Sequence, residues 1–576
     1  MGTTSSLNLD IEEELPLEEN FIEQAEYIDR AKFQQLAAEH PNETEVLKKL
    51  MGGGAKLLIG PRGCGKSTLM KKAYYRLIEE SADKTLPVYV NFKLTLKLEP
   101  YYVNGANASY WFRSWLIAKI LLAIWEAIEE HGKLVVSELF PPKELIIKAI
   151  NSLEASNANA DQIDKFTLSF LTEHIENLIS RSELQRCVIL IDDAAHSFSE
   201  KQQEDFFDFF RAVKSRIISP KAAIYPGITS NSANFHVGHD AEQINAWIKP
   251  SGKEYEDFML SLARKRFEGA DFDFISGNEE DIILLAYAAF GIPRGFLGML
   301  RSVFNSPKTY MNANGGLNKS KLLRLSRVGR DMSHAVYDSL TAKLPSYESY
   351  VENGSRAHQA ILAQIRIFNK GKPLEKQGLQ FAVKTPINAD LEKVFGFLQY
   401  SGLIMSSGSV LKGEKGAFQH YHIHIGDLVA ENIIVGSRTK SVISFLKVIR
   451  APKHQAWPKL TSASIFEKAE LASEDFTLAL PLCHVCSTPR SNPEARFCSN
   501  CGAQLKPSSA YEELVKRDIS ALPISKRLEK RIKEHSPIRR IRDILTDANR
   551  ETLLGIPYIG KARAQAILGH AEEYVS

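Results

Sequence analysis

Hydrophobic and polar positions alternate along the first half of the chain in a pattern that predicts a parallel sheet covered by helices. Short apolar runs at 57–59, 87–92, 187–192 and 222–229 are typical of buried strands. Helical spacing dominates between them, most clearly in the apolar segment 115–128. Because parallel strands need long crossover connections, this order predicts an α/β fold with helices on both faces of the sheet.

The pattern changes in the second half of the chain. A polar, turn-rich stretch at 305–316 is predicted to be a loop between modules. A helical segment at 391–404 is followed by strand-like runs around Val410 and at 418–425, with a tight turn at 413–416 between them. Helix, strand, short wing and strand is the layout of a winged helix.

Composition adds little to this outline. The 576 residues are 44% hydrophobic and 24% charged with a net charge of +3, which is ordinary for a soluble protein of several domains. The acidic first 20 residues carry no secretory signal. Lys119 interrupts the segment 115–128, which is also too short to span a bilayer. We therefore expect a cytoplasmic protein without a membrane partner.

A glycine-rich loop between the first predicted strand and a helix carries the clearest chemistry. It matches the G-x-x-x-x-G-K-[ST] phosphate-binding pattern in full, with Gly60, Pro61, Arg62, Gly63, Cys64, Gly65, Lys66 and Ser67, followed by Thr68. Backbone N–H groups of such a loop surround the phosphates of ATP. Lys66 is predicted to reach the β- and γ-phosphates, and the Ser67 hydroxyl to bind Mg²⁺.

Polar residues elsewhere are predicted to complete this site. Asp192 and Asp193 end a strand, where Asp192 would hold Mg²⁺ through water and Asp193 would polarise the attacking water. Thr229 is a candidate sensor of the γ-phosphate at the end of another strand. Arg294 is predicted to bind the γ-phosphate from the helical region that follows, or else to be an ordinary arginine at the start of a helix.

The order of these motifs, with Gly291-Ile292-Pro293-Arg294 before a winged helix, resembles the origin-recognition and STAND branches of the AAA+ ATPases over residues 45–435. The resemblance implies an ATP-driven switch or assembly factor whose lid and winged helix move on hydrolysis. Asp193 stands where the family carries a catalytic glutamate, which favours slow ATP hydrolysis. Arg211 and Arg216 are the candidates for an arginine finger.

The C-terminal region contains a second kind of site. Its pattern C-x2-C-x11-C-x2-C resembles a zinc ribbon and predicts a closed, structural Zn²⁺ site formed by Cys483, Cys486, Cys498 and Cys501. Nucleic acid and protein partners both remain open for it, and Arg490, Arg496 and Lys506 favour nucleic acid. Three histidines, which are also of a metal-binding type, are interpreted as the exposed face of a wing strand: His420, His422 and His424.

The last part of the chain is basic. Residues 516–542 carry a large excess of lysine and arginine, which predicts contacts to a phosphate backbone. The segment 552–574 resembles the helix-hairpin-helix DNA-binding family, with Tyr558 in place of the first hairpin glycine. The predicted DNA contacts are Gly560, Lys561, Arg563, Arg539 and Arg540, and protein docking by the hairpin is the alternative.

Together these features predict a multidomain α/β protein. Its expected units are an N-terminal lead-in (1–45), a P-loop ATPase core (46–250), a helical lid (251–335), a winged-helix region (336–470), a zinc ribbon (480–506) and a basic linker with a helix-hairpin-helix (507–576). The predicted function is an ATP-dependent, largely sequence-independent DNA-binding switch or assembly ATPase. It would act with effector proteins, and as a nucleotide-dependent homo-oligomer, in anti-phage defence, mobile-element or DNA-repair systems. The alternative is a STAND-type signalling scaffold whose ribbon and hairpin bind proteins.

Overall fold

Five parallel strands form the central sheet of the computed structural model, in the order β2-β3-β4-β1-β5. The strands are β1 (Lys56–Ile59), β2 (Thr85–Asn91), β3 (Arg186–Asp192), β4 (Ile218–Ile224) and β5 (Glu242–Asn245). Strands β1 and β3 both pair with β4, so the loops at their carboxyl ends lie on either side of the loop that follows β4. The predicted α/β P-loop core is confirmed by this arrangement.

The structure describes residue 28 and residues 30–575, apart from 82–83, 94, 105–106, 133, 158–162, 195–198, 230, 268, 313–315, 412–415, 437–440, 453–456, 479–481, 484, 491–494, 496 and 506–509. Most of the predicted lead-in, most of the wing turn at 413–416, and both Arg496 and Lys506 therefore lie outside the described residues.

Two strands differ from the sequence prediction. The run predicted at 222–229 begins earlier, as β4, and ends at Ile224. It ends there because Gly227 has a φ of +76°, a left-handed conformation that is incompatible with an extended strand. Strand β5 was not predicted, since its sequence EQIN buries one residue of four and contains no apolar run.

Helices cover both faces of the central sheet. The helices of this half are α1 (Arg30–Leu36), α2 (Glu43–Met51), α3 (Lys66–Glu80), α4 (Glu99–Asn104), α5 (Ala108–His131), α6 (Lys143–Glu154), α7 (Leu168–Arg181) and α8 (Glu200–Val213). Helix α5 contains the apolar segment 115–128 and packs in the hydrophobic core on one face of the sheet, with Trp115 fully buried. None of the described helices has the length and apolar character needed to cross a membrane.

The opposite face of the sheet shares one continuous core with the middle of the chain. This region contains α9 (Tyr255–Arg264), α10 (Gly269–Gly277), α11 (Glu279–Ala288), α12 (Pro293–Asn305), α13 (Pro307–Tyr310), α14 (Lys319–Lys343) and α15 (Glu348–Asn369). Within the predicted loop 305–316, Pro307 begins the single turn α13. Helix α14 runs without a break across the predicted boundary between residues 335 and 336.

A second sheet follows, with strands in the order β7-β8-β6-β9. Its elements in chain order are β6 (Gln380–Lys384), α16 (Ala389–Tyr400), β7 (Ile404–Leu411), β8 (Ala417–Ile423), α17 (Ile425–Ala430), α18 (Val442–Arg450), β9 (Lys459–Leu460) and α19 (Ser462–Ala469). The helix α16 followed by the antiparallel pair β7 and β8 has the predicted helix–strand–strand order. The winged-helix assignment itself stays a prediction.

The chain ends in a small helical module with its own core. Its helices are α20 (Ala510–Lys516), α21 (Lys526–His535), α22 (Ile541–Leu545), α23 (Glu551–Leu554) and α24 (Lys561–Val575). The module is docked on the preceding part of the chain, because the Tyr511 N–H donates to Glu99 Oε2 at 2.9 Å and Ala342 of α14 packs against the module's core. This docking brings the end of α24 to the glycine-rich loop.

Candidate functional site

The glycine-rich loop connects β1 to α3 and forms one wall of a cavity. Gly63 and Gly65 have φ values of +82° and +101°, which residues with a side chain rarely adopt. A Cβ at Gly60 would lie 2.4 Å from Cys64 Sγ, so this position also requires glycine. The loop therefore turns tightly enough to direct the N-terminus of α3, with its free N–H groups, toward the cavity. This backbone fits the phosphates of a nucleotide.

Lys66 is the first residue of α3 and lines the same cavity. Its Nζ donates to the carbonyl oxygens of Gly60 (2.8 Å) and Pro61 (3.0 Å) and lies 3.8 Å from the centre of the Tyr225 ring. Burial lowers the pKa of Lys66, and negative groups such as Asp193 oppose that shift. A phosphate would supply the negative partner that stabilises the buried, positively charged form of Lys66. Ser67 and Thr68, which follow it in α3, also line the cavity.

The two aspartates after β3 occupy different places. Asp192 is completely buried, and its carboxylate accepts hydrogen bonds from the Tyr89 hydroxyl (2.8 Å) and the Asp193 N–H (3.0 Å). Asp193 lines the cavity, with its Oδ1 accepting from the Tyr225 hydroxyl at 2.8 Å. A carboxylate oriented in this way is suited to bind a hydrated Mg²⁺ or a water molecule. The roles predicted for both residues stay predictions, and the structure places Asp193 nearer to where a nucleotide would bind.

Thr229 lies five residues beyond the end of β4, in the turn that Gly227 makes possible. Its hydroxyl donates to the Tyr225 carbonyl at 2.7 Å and accepts from the Tyr225 N–H at 3.3 Å. Thr229 is not among the residues that line the cavity, whereas Tyr225 is. Its predicted sensor role stays a prediction, and its observed contacts hold the turn that positions Tyr225.

Arg294 lies in the first turn of α12, next to the glycine-rich loop. The Arg294 N–H donates to the Gly63 carbonyl at 3.4 Å, and a Cβ at Gly63 would come within 3.0 Å of the Arg294 Cβ. The side chain points into the cavity that Lys66 and Asp193 also line. The prediction that these residues share one site therefore has a structural basis, although their roles stay predictions. Arg211 and Arg216, the candidate arginine fingers, are exposed on the surface.

The sequence did not indicate that Glu573, near the end of α24, reaches the same cavity. Its Oε1 lies 2.9 Å from Arg294 Nη1, and its backbone carbonyl accepts from Arg62 Nη2 at 3.1 Å and from Lys343 Nζ at 3.1 Å. Burial would raise the pKa of Glu573, but the positive charges of Arg294, Arg62 and Lys93 lower it. A negative group of this chain is thus held by cations that face the predicted phosphate site.

The cavity also has a mainly apolar part of its lining. This part comes from the region before β1, from α9 and the residues just after it, and from α12: Leu36, Ala37, Ala38, His40, Phe258, Leu262, Arg266 and Leu297. His40 Nε2 lies 3.3 Å from the Ala246 carbonyl oxygen, and burial lowers the pKa of His40, so this imidazole is neutral at pH 7. A mainly apolar wall next to a phosphate loop, with Arg266 as its charged member, suits the base of a nucleotide. Sequence reasoning missed these residues because no local pattern distinguishes them from core positions.

The four cysteines of the predicted zinc ribbon, named here the ribbon cysteines, lie together. Their sulfur atoms are all within 4.8 Å of one another, with Cys483 to Cys501 at 3.6 Å and Cys486 to Cys498 at 3.5 Å. Four sulfurs bound to Zn²⁺ at 2.3 Å would be about 3.8 Å apart, so the cluster fits a tetrahedral ion. All six cysteines are free thiols. The fit supports a structural Zn²⁺ site, and Gly502, with a φ of +66°, makes the turn after the second pair.

The histidines of β8 are not on an exposed face, so that interpretation was wrong. His420 and His424 are buried, and only His422 is partly exposed. The Trp457 ring packs over His420 at a centroid distance of 4.6 Å, from a segment that no local pattern places there. His424 lies beyond the strand, at the start of α17, and its ring is 5.3 Å from that of Phe290.

The predicted hairpin connects α23 to α24 at residues 555–560. Tyr558, which replaces a hairpin glycine, is in the left-handed conformation at a φ of +67°, and its ring lies 5.0 Å from the Arg531 guanidinium. Gly560 and Lys561 are exposed at the start of α24, and Arg563 Nη1 donates to the Tyr558 carbonyl at 2.9 Å. This hairpin is at the opposite end of α24 from Glu573.

Two further predicted DNA contacts, Arg539 and Arg540, are also exposed, in the connection between α21 and α22. Arg539 Nη1 donates to the Ser536 and Ile538 carbonyls at 2.7 and 2.8 Å, which holds its side chain along the connection. The described hairpin and this connection therefore both present exposed cations on one small module. Their contact with DNA stays a prediction.

Comparisons with known proteins find distant similarity to solved structures. No family model matches the chain, and neither does any curated protein. Among solved structures, the Aeropyrum pernix ORC1 protein in complex with DNA is 15% identical over 70% of this chain and 91% of that one, with a TM-score of 0.29. The Aeropyrum pernix ORC2 protein (12%, covering 70% and 96%, TM-score 0.31) and Cdc6p from Pyrobaculum aerophilum (12%, covering 70% and 97%, TM-score 0.28) are similarly distant.

Proposed function

We propose that this chain is an ATP-dependent DNA-binding switch in which nucleotide binding and the position of the C-terminal module are coupled. The observation that supports it is the contact of Glu573 with Arg294 inside the cavity formed by the glycine-rich loop. The module that carries the predicted DNA contacts thus extends one helix, α24, into the predicted phosphate site. A switch needs such a link between its nucleotide and its output.

The coupling follows from charge. Arg62 and Arg294 face the cavity, where the β- and γ-phosphates of ATP would draw their side chains. Both now bind the end of α24, through the backbone and the carboxylate of Glu573. The phosphates of ATP and Glu573 therefore compete for the same cations. ATP would release the end of α24, and hydrolysis with phosphate loss would allow it to return.

ATP hydrolysis is assigned to the same site. Lys66 and the N-terminus of α3 would hold the phosphates, Ser67 would contribute to Mg²⁺ binding, and Asp193 would orient the attacking water. The Mg²⁺ ion would neutralise charge that develops on the phosphates. Asp193 is held by Tyr225 and carries a short side chain, so we propose slow turnover, which is the behaviour of a switch.

Nucleotide binding tests the coupling. Removing the charge in Glu573→Gln is expected to raise the affinity for ATP about 5- to 30-fold, since a partly exposed charged pair is worth about 1–2 kcal/mol. Glu551→Gln removes the same charge at an exposed position of the same module and should leave the affinity unchanged. Isothermal titration of the full chain measures both variants. A lower affinity in Glu573→Gln would instead make Glu573 part of the nucleotide site and would refute the competition.

A DNA-binding measurement tests whether the chain binds DNA and whether ATP changes that binding. Fluorescence anisotropy with random-sequence duplex DNA should show binding that weakens with salt and changes when ATP is added. The variant with Arg539→Gln and Arg540→Gln is expected to bind more weakly, with a salt slope reduced by about 2. Absence of binding at low salt by the full chain would favour the signalling scaffold whose ribbon and hairpin bind proteins. The link to defence, mobile-element or repair systems, the effector partners and the nucleotide-dependent homo-oligomer stay predictions.

A further inference from the structure

Three side chains from three helices lie close together. They are His334 of α14, His358 of α15 and Asp427 of α17, and one ligand atom from each lies within 4.8 Å of the others. His334 Nε2 is 3.0 Å from Asp427 Oδ1, and His358 Nε2 is 3.6 Å from Asp427 Oδ2. Residues 334, 358 and 427 are too far apart in sequence to form a recognisable motif.

Their burial demands an explanation. The side chains of His358 and Asp427 are 1% and 2% exposed. Within the part of the chain that the structure describes, His358 Nε2 and Asp427 Oδ2 have no hydrogen-bond partner. A buried polar atom without a partner costs about 1–3 kcal/mol, so two such atoms that face each other call for a third group. Their 3.6 Å separation is too long for a hydrogen bond between them.

A metal ion accounts for the spacing. Two ligand atoms bound tetrahedrally at about 2.0–2.1 Å are about 3.3–3.4 Å apart. The two imidazole nitrogens lie at similar distances, 3.0 and 3.6 Å, from the two different oxygens of the Asp427 carboxylate, and one ligand atom of each residue lies within 4.8 Å of the others. Two imidazoles and one carboxylate are ligand types that Zn²⁺ and related first-row ions prefer.

The three side chains differ in exposure. His334 is 26% exposed, so the cluster opens toward solvent past this residue, while His358 lies at the buried end. One turn before His334 in the same helix, the Arg330 guanidinium is engaged by Asp331 at 2.7 Å and Glu431 at 3.1 Å. Arg330 thus has two carboxylate partners outside the cluster, Asp331 and Glu431.

We propose that His334, His358 and Asp427 form a binding site for a divalent transition-metal ion of the Zn²⁺ type, separate from the ribbon cysteines and from the nucleotide cavity. The protein supplies three ligands, and the fourth position faces solvent on the His334 side. An ion there joins α14, α15 and α17. Because His424 at the start of α17 packs against Phe290, four residues before Arg294, the ion would stabilise the region that positions Arg294.

The test uses the full chain with all four ribbon cysteines replaced by serine, so that they contribute no metal. After equilibration with Zn²⁺ and dialysis, elemental analysis should find one Zn²⁺ per chain. Co²⁺ added in its place should give weak visible bands of nitrogen and oxygen ligation without the intense thiolate absorption. The residues of the cluster are unchanged in this protein. Absence of bound Zn²⁺ and of these Co²⁺ bands would therefore overturn the proposal.

Variants then locate the ion. Asp427→Asn keeps the size of the side chain but removes its charge, and it should lower the affinity for Zn²⁺ at least 10-fold. Glu352→Gln makes the corresponding change from carboxylate to amide at an exposed position of α15 and should retain the ion. Circular dichroism before metal addition shows whether each variant is folded. Equal Zn²⁺ affinity in folded Asp427→Asn and in its parent would place the ion elsewhere and refute the assignment.

Discussion

Replacing Gly227 by alanine should weaken the packing of the second sheet region against the turn that follows β4. Gly227, in the turn after β4, touches Gly396 of α16, and a Cβ at Gly227 would lie 2.1 Å from the Gly396 Cα. Carbon atoms in contact are about 3.5–4.0 Å apart, so α16 would have to move by roughly 1.5 Å. The same helix reaches the glycine-rich loop, where the Tyr400 carbonyl accepts from the Arg62 N–H at 3.3 Å.

The expected loss in the free energy of unfolding of Gly227→Ala has two parts. The left-handed backbone of Gly227 costs an alanine about 1–2 kcal/mol, and the forced displacement adds about 1–3 kcal/mol of overpacking. Gly238→Ala is the matched control, because Gly238 has a φ of +90° but nothing within 4 Å of its Cβ position. It should lose only the first part. Gly396→Ala approaches the same contact from the other side, with its Cβ 2.7 Å from the Gly227 carbonyl oxygen.

Denaturant unfolding followed by tryptophan fluorescence measures these differences, with ATP affinity as a second readout. We expect Gly227→Ala to lose about 1–3 kcal/mol more than Gly238→Ala, and to bind ATP more weakly because α16 supports the glycine-rich loop. Equal losses in the two variants would show that α16 does not pack against this turn. The reasoning about how the second sheet supports the nucleotide site would then be refuted.

Other predictions address single features. Lys66→Ala should abolish ATP binding in calorimetry while circular dichroism stays unchanged, and retained affinity would contradict the phosphate assignment. Replacing Cys498 and Cys501 by serine should release Zn²⁺ from the ribbon, as elemental analysis would detect; unchanged Zn²⁺ content after loss of these two thiolates would rule out the four-sulfur site. Burial lowers the pKa of Lys221 to about 7. Above pH 7 the unfolded chain still binds the proton that the folded chain releases, so stability should rise with pH up to the ordinary lysine pKa. Lys221→Met should show a smaller rise between pH 7 and pH 9 in denaturant unfolding, and an identical rise would mean that other groups cause it.

The parts of the fold that produce a short-range pattern of apolar residues were predictable from the sequence. Buried parallel strands such as β3 are continuous apolar runs, so their existence was evident from the sequence. Strand β5 and the second sheet's edge strand β9 were missed, because β5 is mostly exposed and β9 has two residues. The exposed face assigned to the histidines of β8 failed for a related reason: Trp457 covers His420 from outside the strand.

The candidate sites also divide into those that short-range sequence patterns reveal and those that only tertiary contacts form. The glycine-rich loop is one continuous segment, and the ribbon cysteines are two C-x2-C pairs separated by eleven residues, so the sequence by itself indicated both. The contact of Glu573 with Arg294 and the cluster of His334, His358 and Asp427 join residues that are 24 to 279 positions apart. Only the packing of α12 with α24, and of α14 with α15 and α17, brings these charges together, since no local conformational preference links residues so far apart in the chain.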